Sequence, residues 1–269
     1  MKSVARVWPR HGHRARPLNS IVRSHMERLE PLAPPPNWGA DEVSNFLEIA
    51  QRNGFGSFVQ LRAPFAKITA IDAFYRRFIE NLNHTREWFA AFFVLRAHSA
   101  YLAACRLTVS GQIPESYMVQ RGCLENAMYG FQIATRPELR ETWLRRHDNE
   151  ASKRAVKQEF QIGTIFERIT LTNAQVAEVA KTLYDRTIDY GAHPNEQALM
   201  QVLDMERAAG DIRFEVRYLT RGEEPAFGAC FKTTAQVGVC ALDIFRLVFR
   251  ERFQLLGLDR ELDHLKRDL

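Results

Sequence analysis

The sequence predicts a mainly α protein: a helical bundle of four long helices plus peripheral helices, with one β-hairpin near residues 198–219. Apolar residues from Asp41 onward recur every three or four positions, which is the period of a helix with one buried face. Proline and glycine residues stand where these helical stretches begin and end. The stretch from Ile212 to Tyr218 instead alternates between apolar and polar residues, which indicates a half-buried strand.

Length and composition indicate one folded domain after an N-terminal tail. The chain has 269 residues, of which 46% are hydrophobic and 26% charged, and these values are typical of a globular protein. Residues 1–39 lack hydrophobic periodicity and are rich in Pro, Arg and His, so we expect a disordered or loosely attached basic tail. We place a single helical-bundle domain, with the hairpin inserted, at residues 40–269.

The formal net charge of +5 belongs to this tail. Residues 1–30 contain seven Lys or Arg and two Asp or Glu, so the remaining chain is neutral overall. A solvated tail is a more common reason for such a stretch than a nucleic-acid-binding arm, and we favour it. The same composition is typical of a transit peptide, and Met26 offers an alternative start of translation.

The predicted helices follow one another with capping residues at several of their ends. Pro64 and Pro114 suit the first turn of a helix, whereas Thr85 and Asn173 suit the N-cap position. Gly111 suits the end of the third helix. The helical stretches are 41–53, which Gly54 and Gly56 end, then 64–82, 85–111, 114–135, 137–144, 150–169, 174–191, 225–253 and a short helix from 259. Those that begin near 85, 114, 173 and 225 form the four-helix bundle.

The hairpin prediction rests on the change of period after Pro194. Ile212, Phe214, Val216 and Tyr218 alternate with charged residues, and residues 199–205 supply a partner strand with a similar alternation. The loop between the two strands is expected near residues 208–211. No other part of the sequence alternates in this way.

Four cysteines are expected to be reduced and mostly buried. Cys105, Cys123, Cys230 and Cys240 form no C-x-x-C pair and have no histidine at the spacing of metal ligands. The sequence therefore predicts no metal site, and it holds no glycine-rich loop after a strand that would bind a nucleotide cofactor. We expect a cytoplasmic protein without a cofactor.

No membrane segment is expected. The most apolar window, Trp88 to Leu95, ends at Arg96, long before the roughly 20 residues that span a bilayer. A carboxylate-bridged metal site within a bundle is also excluded, because that site needs Glu-x-x-His pairs on two helices and the sequence has none.

The stretch from Tyr184 to Asn195 contains the most compact cluster of chemically capable side chains. In a continuous helix, Arg186, Asp189, Tyr190 and His193 stand at i, i+3, i+4 and i+7 and share one face. A guanidinium neutralises a phosphate and an imidazole moves protons near neutral pH, so this face is a candidate catalytic site for phosphodiester chemistry.

A structural interpretation of the same residues is favoured over the catalytic one. Pro194 disfavours helical geometry at His193, and Gly191 loosens the turn before it. The helix then stops short of His193. In that case the imidazole caps the following segment or hydrogen-bonds to Asp189 as a latch.

Several further residues are candidates for binding. Arg121 and Glu125 stand at i and i+4 on an otherwise apolar helix, which indicates an interhelical ion pair or, as the less favoured alternative, a ligand site. His98 lies in apolar helical sequence and is expected to be a satisfied core histidine. The remaining candidates are polar residues near helix ends: Arg146, His147 and Asn195.

Three stretches resemble an uncharacterised bacterial all-helical family over about residues 85–255. They are 121–130, 143–148 and 190–195. That family is loosely similar to the HEPN superfamily of helical bundles, many of whose members are metal-independent ribonucleases. The HEPN motif is an Arg, four to six residues and a His, which Arg186 and His193 match with six.

The resemblance implies a dimeric endoribonuclease in which two copies of the motif face each other. His193 then acts as general acid or base, Arg186 stabilises the charge of the phosphorane, and Asp189 or Tyr190 orients the imidazole. The other hypothesis is a non-catalytic helical module that forms a homodimer or binds a ligand or partner between its helices. We favour the second hypothesis. RNA is the expected ligand under the first.

Overall fold

The computed structural model describes residues 33–83, 85–194, 196–208, 211–220 and 224–269. Most of the predicted tail, with its positive charge, lies outside the described residues, and so does the candidate Asn195. The described chain is mainly helical and carries one small antiparallel hairpin, which confirms the predicted fold class.

The helices and strands follow one another in a single order along the chain. They are α1 (Glu42–Gln60), α2 (Arg62–Glu80), α3 (Trp88–Ser110), α4 (Ile113–Thr135), α5 (Leu139–Leu144), α6 (Glu150–Glu159), α7 (Ile162–Thr172), α8 (Ala174–Thr187), α9 (Glu196–Met200), β1 (Leu203–Ala208), β2 (Asp211–Val216), α10 (Pro225–Val248), α11 (Arg250–Leu255) and α12 (Leu258–Leu265).

Most predicted helix ends are confirmed, but the end of the first helix and the start of the third are wrong. The predicted helices 150–169 and 225–253 are each divided, the second of them at Phe249 into α10 and α11. The Asp41 carboxylate caps α1 by accepting from the backbone N–H groups of Val43 and Ser44, and the Asn173 side chain caps α8 by accepting from the N–H of Val176. However, α1 continues beyond Gly54 because its last turns are held on α3, where Ser57 donates to the Val109 carbonyl at 2.8 Å. Thr85 does not cap α3, which begins only at Trp88.

The predicted helix 150–169 is divided into α6 and α7. Phe160 is buried and its ring lies 5.0 Å from the ring of Tyr129 on α4, measured between centroids. The next residue, Gln161, is extended. Packing of one aromatic side chain against α4 thus interrupts a stretch whose helical period is otherwise continuous.

The core lies between α2, α3, α4, α8 and α10. α10 is buried along most of its length, and its central residues contact the helices on either side. Gly238 of α10 allows the close approach of Tyr101 on α3, since a Cβ at this position would lie 2.5 Å from the tyrosine ring. The predicted long helices α3, α4, α8 and α10 are therefore the centre of the bundle.

α3 is the one described helix with the length and composition of a membrane span. Its mean hydropathy over the best window is 1.3, and 44% of that window is buried inside the fold. Core helices pass the same test, and α3 contributes Phe93, Val94 and Tyr101 to the core.

Both ends of the segment between α8 and α10 pack against the region where α3 ends and α4 begins. At one end, a Cβ on Gly191 would lie 2.1 Å from the carbonyl oxygen of Pro114. At the other end, Thr220 donates to the carbonyl of Gly111, whose φ of +87° is in the left-handed region that favours glycine. Gly191 and Gly111 thus allow the two ends of this segment to pack closely against the end of α3 and the start of α4.

The predicted hairpin is confirmed, with a shift at its first strand. β1 pairs antiparallel with β2 so that Met205 faces Phe214 and Leu203 faces Val216. The expected strand residue Leu199 lies in α9 instead. The side-chain alternation of residues 199–205 therefore does not distinguish the short helix from the strand that follows it.

Candidate functional site

The candidate catalytic residues lie at the end of α8, where the helix changes geometry. The α-helix ends at Thr187, a π-helical turn covers Ile188–Ala192, and His193 is extended with φ −132° and ψ 147°. The expectation that His193 shares a helical face with Arg186, Asp189 and Tyr190 is therefore wrong. Gly191 packs closely on α4, and the helix widens there into the π-helical turn. Pro194 favours the extended backbone of His193, the residue before it.

The side chain of Arg186 points to α10. Its Nη1 donates to the side-chain oxygen of Gln236 at 2.8 Å and to Oγ1 of Thr233 at 3.2 Å. Both acceptors belong to α10, and Arg186 is half-buried. These bonds hold the last turn of α8 on the core.

The side chain of His193 points to α4 instead. Its Nε2 lies 2.8 Å from Nη1 of Arg121, and the imidazole is exposed. A guanidinium has no acceptor, so Nε2 must accept this bond and the proton of a neutral imidazole resides on Nδ1. The predicted bond from His193 to Asp189 is wrong because the extended backbone directs the imidazole to α4.

Arg121 is the centre of a set of four side chains, which we name the Arg121 cluster: Arg121, Glu125, Tyr184 and His193. Nε of Arg121 donates to Oε1 of Glu125 at 2.8 Å, and the guanidinium lies over the Tyr184 ring, 5.0 Å from its centroid. Tyr184 donates to the same carboxylate oxygen at 3.0 Å. The ion pair lies within one helix, so the interhelical links are the contacts to Tyr184 and His193.

Burial and charge have opposite effects on Arg121. Desolvation disfavours its charged form, but the hydrogen bond and the charge of Glu125 outweigh that cost and raise the pKa of Arg121. Burial and the same carboxylate raise the pKa of Tyr184 to about 12. The cluster therefore keeps its guanidinium charged and its phenol protonated, with Tyr184 buried and the imidazole of His193 exposed.

Asp189 and Tyr190 lie in the turn that joins these two regions. Both are exposed, and the Tyr190 ring lies 5.6 Å from the ring of Tyr117 on α4. Tyr117 is buried, and burial raises its pKa to about 12. Tyr190 thus packs the turn onto α4.

His98 is a core histidine, as expected. It is 4% exposed, its Nε2 lies 2.6 Å from Oδ1 of Asp72, and its ring stacks on Tyr75. Arg76 binds the second oxygen of the same carboxylate. These contacts are all made inside the core. His98 is therefore not available to a ligand at the surface.

Arg146 and His147 are exposed after α5. Burial and the charge of Glu125 raise the pKa of Tyr129 on α4, and the charge of Arg146 opposes that rise. Arg146 therefore acts on Tyr129 through its charge. His147 has no such link in the described part of the chain.

Within the residues that the structure describes, no group of three or more His, Cys, Asp or Glu side chains is placed to hold a metal ion. The four cysteines are free, three of them are buried, and Cys105 is half-buried.

Comparison with known proteins finds no matching family model, no matching curated protein and no matching solved structure. The resemblance to a bacterial helical family and to HEPN ribonucleases stays a prediction from the sequence.

Sequence reasoning missed several residues of the site. Tyr184 in α8, and Thr233 and Gln236 in α10, contact the predicted residues but were not predicted themselves. Each carries a polar group on a helix that packs on the core. A polar group at such a position is the signal by which the sequence could have indicated these residues. It does not show which helices pack against each other.

Proposed function

We propose that this chain is a helical-bundle binding module that takes an anionic group of a ligand or partner between α4 and the turn after α8. The contact of 2.8 Å between Arg121 and His193 carries the proposal. It places a guanidinium and an imidazole side by side at an exposed position. Carboxylates and phosphates are the groups that such a pair binds.

The rest of the Arg121 cluster holds the guanidinium ready for a ligand. Glu125 binds Nε and Tyr184 supports the plane of the guanidinium, so its orientation is fixed before a ligand arrives. Arg carries five N–H donors, and the bonds to Glu125 and His193 engage Nε and Nη1. An anion that displaces the imidazole from Nη1 therefore leaves the bond to Glu125 intact.

The imidazole of His193 belongs to the same site. Arg121 and Glu125 together are neutral, so the net charge of the pair attracts an anion only weakly and direct hydrogen bonds must supply the affinity. The contact between Nη1 and the imidazole is exposed, so an oxygen of an anion can replace Nε2 and accept from the guanidinium. The N–H group of the imidazole can then donate to the same anion.

The proposal is tested by titration with sulfate, whose charge is constant near neutral pH. We expect saturable binding to the wild-type protein, measured by calorimetry at constant ionic strength, and at least about tenfold weaker binding to Arg121→Gln. Arg145→Gln is the matched control, because Arg145 is an exposed arginine paired with a glutamate four residues away. Equal binding by all three proteins contradicts the proposal.

An endoribonuclease that uses Arg186 and His193 is the second candidate function. The exposure of the His193 imidazole beside a guanidinium favours it, since RNA phosphates have access to both groups. Against it, Arg186 binds α10 whereas His193 binds α4, so the two residues have no common partner among the described side chains.

Labelled RNA incubated with the protein in EDTA distinguishes the two functions. Cleavage that is lost in both His193→Ala and Arg186→Ala supports the ribonuclease. RNA that stays intact with wild-type protein, and binds less tightly to Arg121→Gln, supports the binding module.

A further inference from the structure

The hairpin has one polar face and one apolar face, and the apolar face is exposed. Side chains of β1 and β2 that share the apolar face include the pairs Met205–Phe214 and Leu203–Val216. Phe214 is 63% exposed, and Met205 and Ile212 are more than half exposed. A two-stranded hairpin is marginally stable alone, so the exposed apolar face and the free edges indicate a missing partner.

The free edge of β2 is defined by the hydrogen bonds of the hairpin. Arg217 donates to the Val202 carbonyl at 2.7 Å, and hydrogen-bonded pairs alternate with non-bonded pairs along an antiparallel ladder. The backbone groups of Arg213 and Glu215 therefore point to β1. Those of Ile212, Phe214 and Val216 point outward and are available to another strand.

We propose that β2 pairs antiparallel with β2 of a second copy of this chain, around a two-fold axis at Phe214. The two hairpins then form one four-stranded sheet. Phe214 exchanges hydrogen bonds with Phe214 of the second copy, and Ile212 does so with Val216 of the second copy. All these groups already point outward, so the hairpin does not change its geometry.

Charge complementarity on the polar face supports this partner. Around an axis at Phe214, Arg213 of each copy lies directly opposite Glu215 of the other, in a non-bonded pair where side chains are closest. Both residues are exposed, and no ion pair is found for either of them among the described side chains. Two symmetric ion pairs therefore form.

The same charges oppose other registers. An axis at Arg213 places two arginines opposite each other, and an axis at Glu215 places two glutamates opposite each other. On the other strand, axes at Asp204, Met205 and Glu206 each place acidic residues opposite acidic residues. Axes at Ile212 and Val216 also bring opposite charges together, but the axis at Phe214 pairs the greatest length of β2 with its copy.

The test is the mass in solution of charge-reversal variants. We expect wild-type protein to form a dimer of twice the chain mass of 31.1 kDa, measured by light scattering over a range of concentrations. Glu215→Arg places arginines opposite each other across the axis and should weaken the dimer at least about tenfold. Inside the hairpin this residue faces Asp204, so the new arginine does not destabilise the hairpin itself.

Arg213→Glu combined with Glu215→Arg restores opposite charges across the axis, and Glu206→Gln in the same variant avoids two glutamates opposite each other inside the hairpin. This triple variant should restore the dimer. Glu206→Gln, on the other strand, is the control and should leave the dimer unchanged. A wild-type monomer, a dimer that tolerates Glu215→Arg, or a mass that continues to rise with concentration each overturns the proposal. No varied residue belongs to the Arg121 cluster, so sulfate binding remains measurable whatever the mass.

Discussion

Nη1 of Arg121 lies 2.8 Å from Nε2 of His193, and the two residues are 72 positions apart in the sequence. The contact joins α4 to the turn after α8. It requires a neutral imidazole, because a doubly protonated ring offers no acceptor to the guanidinium. An anion that accepts from Arg121 therefore takes the place of this imidazole nitrogen.

Glu125→Gln should strengthen the binding of sulfate. The carboxylate cancels the charge of Arg121 at a distance of 2.8 Å, and its amide replacement still offers an oxygen to Nε. We expect about threefold to tenfold tighter sulfate binding, since one negative charge near the ligand is removed. Glu141→Gln, the acidic partner of Arg145, should leave sulfate binding unchanged. Weaker binding by Glu125→Gln would show that Glu125 acts chiefly by positioning Arg121.

Gly191→Ala should destabilise the fold by about 3 kcal/mol, because its methyl group would lie 2.1 Å from the Pro114 carbonyl oxygen. Chemical denaturation measures the loss. Gly122→Ala is the control: Gly122 lies within α4 with open space around its Cα, so alanine should stabilise the protein by about 0.5–1 kcal/mol. Equal effects of the two changes would contradict the close packing of the turn on α4.

His98→Ala should reduce stability without an effect on sulfate binding. The change removes a buried partner of Asp72 and the stacking on Tyr75, and we expect a loss of about 3 kcal/mol in the free energy of unfolding. His147→Ala, at an exposed position, should change it by less than about 0.5 kcal/mol. A loss of sulfate binding in His98→Ala at full stability would assign His98 to the site.

The buried thiols should make the protein less stable at high pH. Burial raises the pKa of Cys105 and of Cys123 to about 12. The folded protein therefore keeps protons that the unfolded chain loses near pH 9, and stability falls as the pH rises from there. Denaturation midpoints across this range should fall more steeply for wild type than for Cys105→Ala with Cys123→Ala. Parallel curves would exclude the thiols as the cause.

Much of the fold was predictable because it depends on local pattern. The apolar period, the cap Asn173 and the terminal Gly111 located most helices, and the alternation of residues 212–218 located the hairpin. Errors arose where tertiary packing overrides local sequence. Ser57 bonds to α3 and extends α1 through two glycines, and Phe160 packs on α4 and divides a helix.

The candidate site was predictable in part for the same reason. Gly191 and Pro194 indicated that the helix ends before His193, and the structure places the end there. The partner of His193 was not predictable, because Arg121 reaches it through packing between distant helices. The bonds from Arg186 to Thr233 and Gln236 depend on the same packing.

The most direct test is the binding of sulfate to His193→Gln and Arg121→Gln, measured beside wild type in one buffer. Arg121 and His193 meet at the proposed anion position, so each change should weaken sulfate binding, and loss of the guanidinium should weaken it at least about tenfold. Arg145→Gln should bind sulfate like wild type. Wild-type affinity in both His193→Gln and Arg121→Gln would contradict an anion site formed by Arg121 and His193.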